Sequence, residues 1–304
     1  MDNLHLIPPH NMFEPQTFPD STELPDGAKS VTWSDKPTEG MISLTPNIVY
    51  QSLNGEDQRL QIITPMAMFA MPGVPAPKYP LVVYVPGSAF RRQNVWMALP
   101  RMIEVAQRGY AVAIVEYRPT EIGGVFPAQR EDAKSAIRFM IAHADEYGID
   151  ADRIAVWGDS SGGHTSVSIA VTAPELVKCC VDWFGPTDIA LMNYYPSGMD
   201  HTAPYSPEGM LIGGKNVLEN PELAQEVNPI NYITPENPVP PMLIMHGSKD
   251  MLVPFNQSVR LYNKLKECGK DVQFFKLEGG GHGSGGFNSD EALNLVIEFF
   301  REKL

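Results

Sequence analysis

Five short stretches of this chain are apolar without alternation: residues 81–85, 111–115, 154–157, 179–184 and 242–245. A strand with one wet face alternates polar and apolar residues, because successive side chains point to opposite sides. Short runs that lack this alternation fit strands covered on both faces. The segments between them have helical spacing. The clearest, 128–147, puts Ala133, Ile137, Met140, Ile141 and Ala144 on one stripe and meets a C-capping glycine at Gly148. Residues 98–108, 164–172, 256–268 and 290–303 read as further helices, and 48–50 with 59–63 as an antiparallel opening pair. Strands alternating with helices predict an α/β fold with a mostly parallel central sheet flanked by helices. Ligands of such sheets sit outside the carboxyl ends of the strands, which is where chemistry is to be sought.

With 304 residues and 43% hydrophobic content, the chain can bury one large core, assigned to residues 41–304. Residues 1–40 are rich in Pro, Asp and Thr and read as an irregular arm, with Phe13 and Trp33 as anchors. Residues 186–240 interrupt the alternation with Pro, Gly, Asn and Tyr, and are expected to form an insertion near the strand ends, either a lid or a pocket wall.

The run at 154–157 ends in Gly158-Asp159-Ser160-Ser161-Gly162-Gly163, ahead of the helical stretch. In a chain with 25 glycines the pattern Gly-x-Ser-x-Gly alone says little. Its place between a buried strand and a helix is what matters. A sharp turn there lifts a serine hydroxyl clear of the sheet, glycines leave room beside it, and the helix start offers free N–H groups to an oxyanion. Ser160 is therefore the expected nucleophile.

On such a turn the acid and the histidine follow the serine in chain order. Of seven histidines, only His164, His201, His246 and His282 come after Ser160. His282, in Gly279-Gly280-Gly281-His282-Gly283, lies on a loop past the strand-like 272–277 and is the expected base. His164, on the elbow's own helix, reads as structural. His246 reads as lining the site, and His201 as solvent-exposed. Asp250, just past the run at 242–245, is the expected acid, with Asp188 as its rival; Asp159 and Asp182 are worse placed. The expected oxyanion donors are the N–H groups of Ser161 and of Ser88 and Ala89, in the loop Pro86-Gly87-Ser88-Ala89-Phe90.

Together these features resemble the α/β-hydrolase superfamily, in its carboxylesterase and lipase-like group. The resemblance runs from about Ile42 to Leu304 and is strongest at 157–163, 246–254 and 279–283. The stretches 181–188 (Val-Asp-Trp-Phe-Gly-Pro-Thr-Asp), 206–214 (Ser-Pro-Glu-Gly-Met-Leu-Ile-Gly-Gly) and Phe126-Pro127-Ala128-Gln129 are similar to the acetyl xylan and feruloyl esterase branch. Relatives commonly carry His-Gly-Gly-Gly where this chain has Pro86-Gly87-Ser88-Ala89; backbone donors survive that change. The resemblance implies a serine esterase releasing small acyl groups, acetate foremost, from sugar hydroxyls, with Phe90, Trp96 and Trp183 as substrate contacts. Two alternatives stand beside it: an amide hydrolase such as an arylformamidase or exopeptidase, and a non-catalytic binding protein.

Composition narrows the partners. A net charge of −13 disfavours nucleic acid and anionic lipid. Three cysteines, two of them adjacent, argue against a disulfide framework, and no spacing suggests a metal or cofactor. No signal-like start or membrane-length run is present, so a cytoplasmic enzyme acting on a small-molecule or oligosaccharide ester is expected, with its oligomeric state open.

Overall fold

In a computed structural model, residues 17, 25–30, 40–66 and 77–304 are described; Phe13 and Trp33 fall outside them. Eight strands form one sheet in the order β1-β2-β4-β3-β5-β6-β7-β8. β1 (Ile42–Leu53) and β2 (Glu56–Pro65) are the antiparallel opening pair, and β2 runs antiparallel to β4. β3 (Tyr79–Val85), β4 (Ala111–Val115), β5 (Ile149–Asp159), β6 (Cys179–Trp183), β7 (Met242–Gly247) and β8 (Val272–Leu277) are mutually parallel.

The unbroken apolar runs have a direct explanation. In β3, Leu81, Val83 and Val85 face one core cluster while Val82 and Tyr84 face another. The first cluster is closed by α2 (Ala128–Ala142), α3 (Ser161–Thr172) and α6 (Asn256–Glu267), the second by α1 (Leu99–Gln107) and α7 (Asp290–Lys303). Two-sided burial removes the period-two signal that a half-exposed strand carries.

α2 ends at Ala142, short of the expected 147. The chain continues through turns, and Gly148 at φ 63° closes them, with Ile149 N–H donating to Ala144 O at 2.8 Å. Within 186–240, α4 (Pro207–Leu211) and α5 (Pro221–Val227) enclose a small core in which Leu211, Ile212, Val217, Ala224 and Val227 pack with Phe90.

The strand order places the loops. β3 lies between β4 and β5, so the connections after it run to opposite sides and a crevice opens at its carboxyl end. Val85 is in register with Gly158, so the loops following β3 and β5 leave the sheet side by side. At the other side, Gly247 is paired with Leu277, bringing the loops after β7 and β8 together.

Candidate active site

Ser160 sits between β5 and α3 at φ 54° and ψ −123°, a left-handed backbone that an L-residue rarely adopts. The turn is possible because its flanking positions lack side chains. A Cβ on Gly158 would collide with Gly162 O, and one on Gly162 with Val85 O. Ser160 N–H donates to Trp183 O at 2.8 Å, fixing the turn to β6.

His282 Nε2 lies 3.0 Å from Ser160 Oγ, and His282 Nδ1 lies 2.8 Å from Asp250 Oδ2. Since a carboxylate only accepts, Nδ1 carries the proton and Nε2 is free to accept from the serine. The imidazole is partly exposed and packs on Phe184 at 4.6 Å between ring centres. The rival carboxylate is elsewhere: Asp188 accepts from Asn228 Nδ2 at 3.0 Å and pairs with Arg260 at 2.9 Å.

Asp250 is held on every side. Its Oδ1 accepts from the N–H groups of Leu252 and Val253 at 2.8 and 2.9 Å, and its Oδ2 lies 3.3 Å from His246 Nε2. Burial raises the carboxyl pKa, but the hydrogen bonds from His246 and His282, the His282 charge and the Val253 N–H outweigh it. The group is held well below the usual carboxylate range. His246 therefore does not line the cavity as expected. It is fully buried behind Asp250, with Nδ1 2.7 Å from Ser258 Oγ and Nε2 also 3.0 Å from Val253 O.

The oxyanion loop departs from expectation at one position. Ser88 N–H donates to Ser161 Oγ at 2.9 Å and is not available to a substrate. Ala89 N–H has no acceptor among the described residues, and neither does Ser161 N–H in the first turn of α3. Ala89 and Phe90 both have positive φ, 55° and 59°, which turns this stretch of backbone away from an ordinary loop path. A tyrosine not foreseen from sequence supports the loop. Tyr117 OH donates to Pro86 O at 3.0 Å and lies 2.8 Å from Ser88 Oγ and 3.1 Å from Ser161 Oγ. Burial pushes this phenol up to about 12, so it remains a neutral donor. It follows β4 directly, so the strand-end rule was the available signal. Asp159 completes the brace: its Oδ1 accepts from Tyr84 OH at 2.6 Å and Gly87 N–H at 2.9 Å. Burial raises its pKa against those two bonds.

Ser160, Ser161, Ala89 and His282 border a cavity of about 400 Å³, together with Phe90, Met199, His201, Glu208 and Leu252. Phe90 is buried in its wall, edge-on to His164 at 5.3 Å. His164 itself donates through Nδ1 to Pro186 O at 2.9 Å, and burial lowers its pKa to about 4, which fits its structural reading. Trp96 and Trp183 do not border this cavity. Trp96 is half exposed on the 3-10 turn Val95–Met97. Trp183 is 5% exposed and packs on Trp157 at 4.9 Å and Phe287 at 5.1 Å. His201 is also corrected: it is 1% exposed and paired with Glu208, because the insertion folds over it. Its signal was Ser206-Pro207-Glu208, a capping serine, a proline and an acid that start α4 and aim Glu208 inward.

Residues 69–265 match the BD-FAE family. The chain belongs to it. Among curated relatives, the esterase LipC of Mycobacterium tuberculosis is 27% identical over 70% of this chain and 54% of its own length. The mouse acylamino-acid-releasing enzyme is 28% identical over 67% of this chain and 29% of its own. The chain spans about half the length of the mycobacterial relatives it matches first. A truncated carbohydrate esterase from gut microbiota superposes with a TM-score of 0.71 at 29% identity, covering 86% of this chain and 96% of that one. The bifunctional GH43-CE protein of Bacteroides eggerthii gives the same TM-score at 28% identity, over 86% of this chain and 38% of its own. The fold is that of the α/β-hydrolases. Among the described residues no group of three or more His, Cys, Asp or Glu is placed to hold a metal, and no helix is long and apolar enough to cross a membrane.

Proposed function

We propose that this BD-FAE family member is a serine carboxylic-ester hydrolase that removes small acyl groups, acetyl foremost, from carbohydrate hydroxyls. The observation that carries the reading is the continuous hydrogen-bonded chain Ser160–His282–Asp250 opening into a cavity with two unpaired N–H groups beside it. In this reading His282 Nε2 takes the Ser160 proton as Oγ attacks the ester carbon. The charge that develops on the carbonyl oxygen is met by the Ala89 and Ser161 N–H groups. His282 then returns the proton to the departing alcohol, leaving an acyl group on Ser160. Water, deprotonated by His282, releases the acid. Asp250 keeps the imidazole oriented and stabilises its charged form, and the depressed carboxyl pKa suits that task. The segment 186–240 acts as a wall of the pocket, through Met199, His201, Pro207 and Glu208. Likeness to the two carbohydrate esterase structures supports sugar esters as the substrate class.

The test is hydrolysis of p-nitrophenyl acetate and of acetylated xylo-oligosaccharides by wild type and Ser160→Ala. Turnover of both by the wild type, and of neither by the mutant, is expected. A mutant that keeps most of the rate removes the reading. A second reading, an amide hydrolase, is favoured by similarity to acylamino-acid-releasing enzymes. Faster turnover of an N-acetyl-aminoacyl anilide than of the acetylated sugar would put it first.

A further inference from the structure

The insertion carries a second serine–histidine–carboxylate chain. Ser197 Oγ lies 2.7 Å from His201 Nε2, and His201 Nδ1 lies 3.0 Å from Glu208 Oε2. It repeats the bonding order at Ser160, but its surroundings rule out a nucleophile. Ser197 Oγ is 3.3 Å from Met251 O and 3.4 Å from Leu252 O, and the Met199 N–H at 3.4 Å is directed at Oγ itself, so negative charge developing on a group beside it would meet carbonyl oxygens. Nor does Ser197 stand on a positive-φ turn.

What the chain does achieve is to hold a carboxylate in the wall of the cavity that contains Ser160. The side chains of His201 and Glu208 are 1% and 4% exposed, and both border that cavity. Glu208 Oε2 is taken by His201, while Oε1 has no partner within the described protein and is not among its fully buried unpaired atoms. A buried carboxylate that borders a cavity and has one oxygen without a partner in the described protein needs a hydrogen-bond donor from whatever fills that cavity. Around it the wall is apolar: Phe90, Met199, Pro207, Leu252 and Val253. A carboxylate acceptor set among apolar surfaces matches a sugar, which offers hydroxyl donors at its edge and C–H groups on its faces. The same chain joins this wall to the loop that carries Asp250, through Ser197 and through Gly198 N–H donating to Met251 O at 2.6 Å.

We propose that Glu208, oriented by His201 and Ser197, is the substrate-binding group that accepts hydrogen bonds from hydroxyls of the sugar. This rests on the esterase reading above and assigns the residue that would give it carbohydrate preference.

The experiment compares kcat/KM for an acetylated xylo-oligosaccharide with that for p-nitrophenyl acetate in wild type, Glu208→Gln and Glu208→Asp, with thermal unfolding as the check on folding. Loss of a hydrogen bond to a charged acceptor lowers the sugar-to-aryl ratio by about 10- to 100-fold, chiefly through KM. Competitive inhibition of aryl acetate turnover by free xylobiose weakens by a similar factor. Glu208→Asp, which keeps the charge but withdraws it, shifts the ratio the same way and less. Should Glu208→Gln not fold, Glu208→Asp and the xylobiose inhibition of the wild type decide the matter. An unchanged ratio overturns the assignment, as does an equal loss on both substrates, which marks a structural role. A loss specific to amino-acid esters overturns it in favour of an ammonium site. A wild type that turns over p-nitrophenyl acetate but neither hydrolyses the sugar ester nor binds xylobiose overturns it together with the carbohydrate preference, while serine ester hydrolysis survives. Retention of most of the rate by Ser160→Ala removes ester hydrolysis through Ser160 itself.

Discussion

Two chains of serine, histidine and carboxylate share one cavity wall, and they differ in everything except their hydrogen-bonding order. Ser160 stands on a strained elbow with two unpaired N–H groups nearby; Ser197 stands on a loop with two carbonyl oxygens nearby. Both imidazoles border the cavity, but His282 is 21% exposed and His201 only 1%. Asp250 is gripped by two backbone N–H groups and two imidazoles, while Glu208 keeps one oxygen without a partner among the described residues. The comparison teaches that the relay of side chains is the less demanding part of such a site. Reactivity depends on the dipoles that await the oxyanion, and these come from the backbone.

The sharpest way to break the comparison is at the serines. Ser160→Ala is expected to lower kcat on p-nitrophenyl acetate by roughly 10⁴- to 10⁶-fold, and a fluorophosphonate should label Ser160 alone in the intact protein. Ser197→Ala should cost less than about tenfold, the scale of one hydrogen bond. Labelling of Ser197, read by mass spectrometry of the peptides, would make the two chains equivalent and undo the distinction.

Next come the acids. Asp250→Asn should lower kcat by roughly 10³- to 10⁴-fold, because an amide can turn its N–H₂ toward Nδ1 and favour the wrong tautomer. Steady-state kinetics check this, and a loss below tenfold would mean that Asp250 does not orient His282. Asp250 has a depressed pKa, so its support is complete above the ordinary carboxylate value and is lost only as pH falls beneath it.

A third difference lies beneath the elbow. Asp182 accepts from Gly185 N–H at 3.0 Å, has its other oxygen buried and unpaired, and a Cβ on Gly163 of α3 would strike it. Burial raises its pKa from 3.8 to about 7. A raised carboxyl pKa means that the folded protein keeps a proton that the unfolded chain has lost, so stability falls as pH rises from about 4 to about 7. Asp182→Asn abolishes that slope. Its unfolding free energy relative to wild type should improve by on the order of a few kcal/mol between pH 4 and pH 8. Denaturant melts at the two pH values test this, and parallel curves would show that Asp182 ionises at its ordinary pKa in the folded protein.

The smallest expected effect is at Tyr117. Tyr117→Phe removes the hydroxyl that holds Pro86, Ser88 and Ser161 together. A loosened oxyanion loop should lower kcat about three- to tenfold with little change in KM. An unchanged kcat would assign the tyrosine to packing alone.

Much of this was legible before any coordinates. Buried parallel strands announce themselves because both faces of the sheet are covered, so β3 to β7 read as unbroken apolar runs. The elbow at Ser160 is a local event, written in glycines within a few residues, and His282 and Asp250 each follow a recognisable strand. The helix expected over 290–303 matches α7 at both ends; its apolar spacing is regular, and in the structure Ser289 caps it. The helix expected over 128–147 is longer than α2 because Ala144 extends the apolar stripe into turns beyond the helix.

What tertiary structure alone decided are pairings between groups far apart in the chain. Ser88 N–H is spent on Ser161 Oγ, 73 residues away, which leaves Ala89 and Ser161 of the three expected donors without an acceptor among the described residues. His246 backs Asp250 because β7 delivers both to one buried spot, and His201 is hidden because the insertion closes over it. Trp183, a substrate contact by the resemblance, packs between Trp157 of β5 and Phe287 of the loop ahead of α7. Sequence determines backbone propensity and the apolar pattern, which are local. Whether a donor is free or spent, and whether a histidine is wet or dry, depends on what the fold brings beside it.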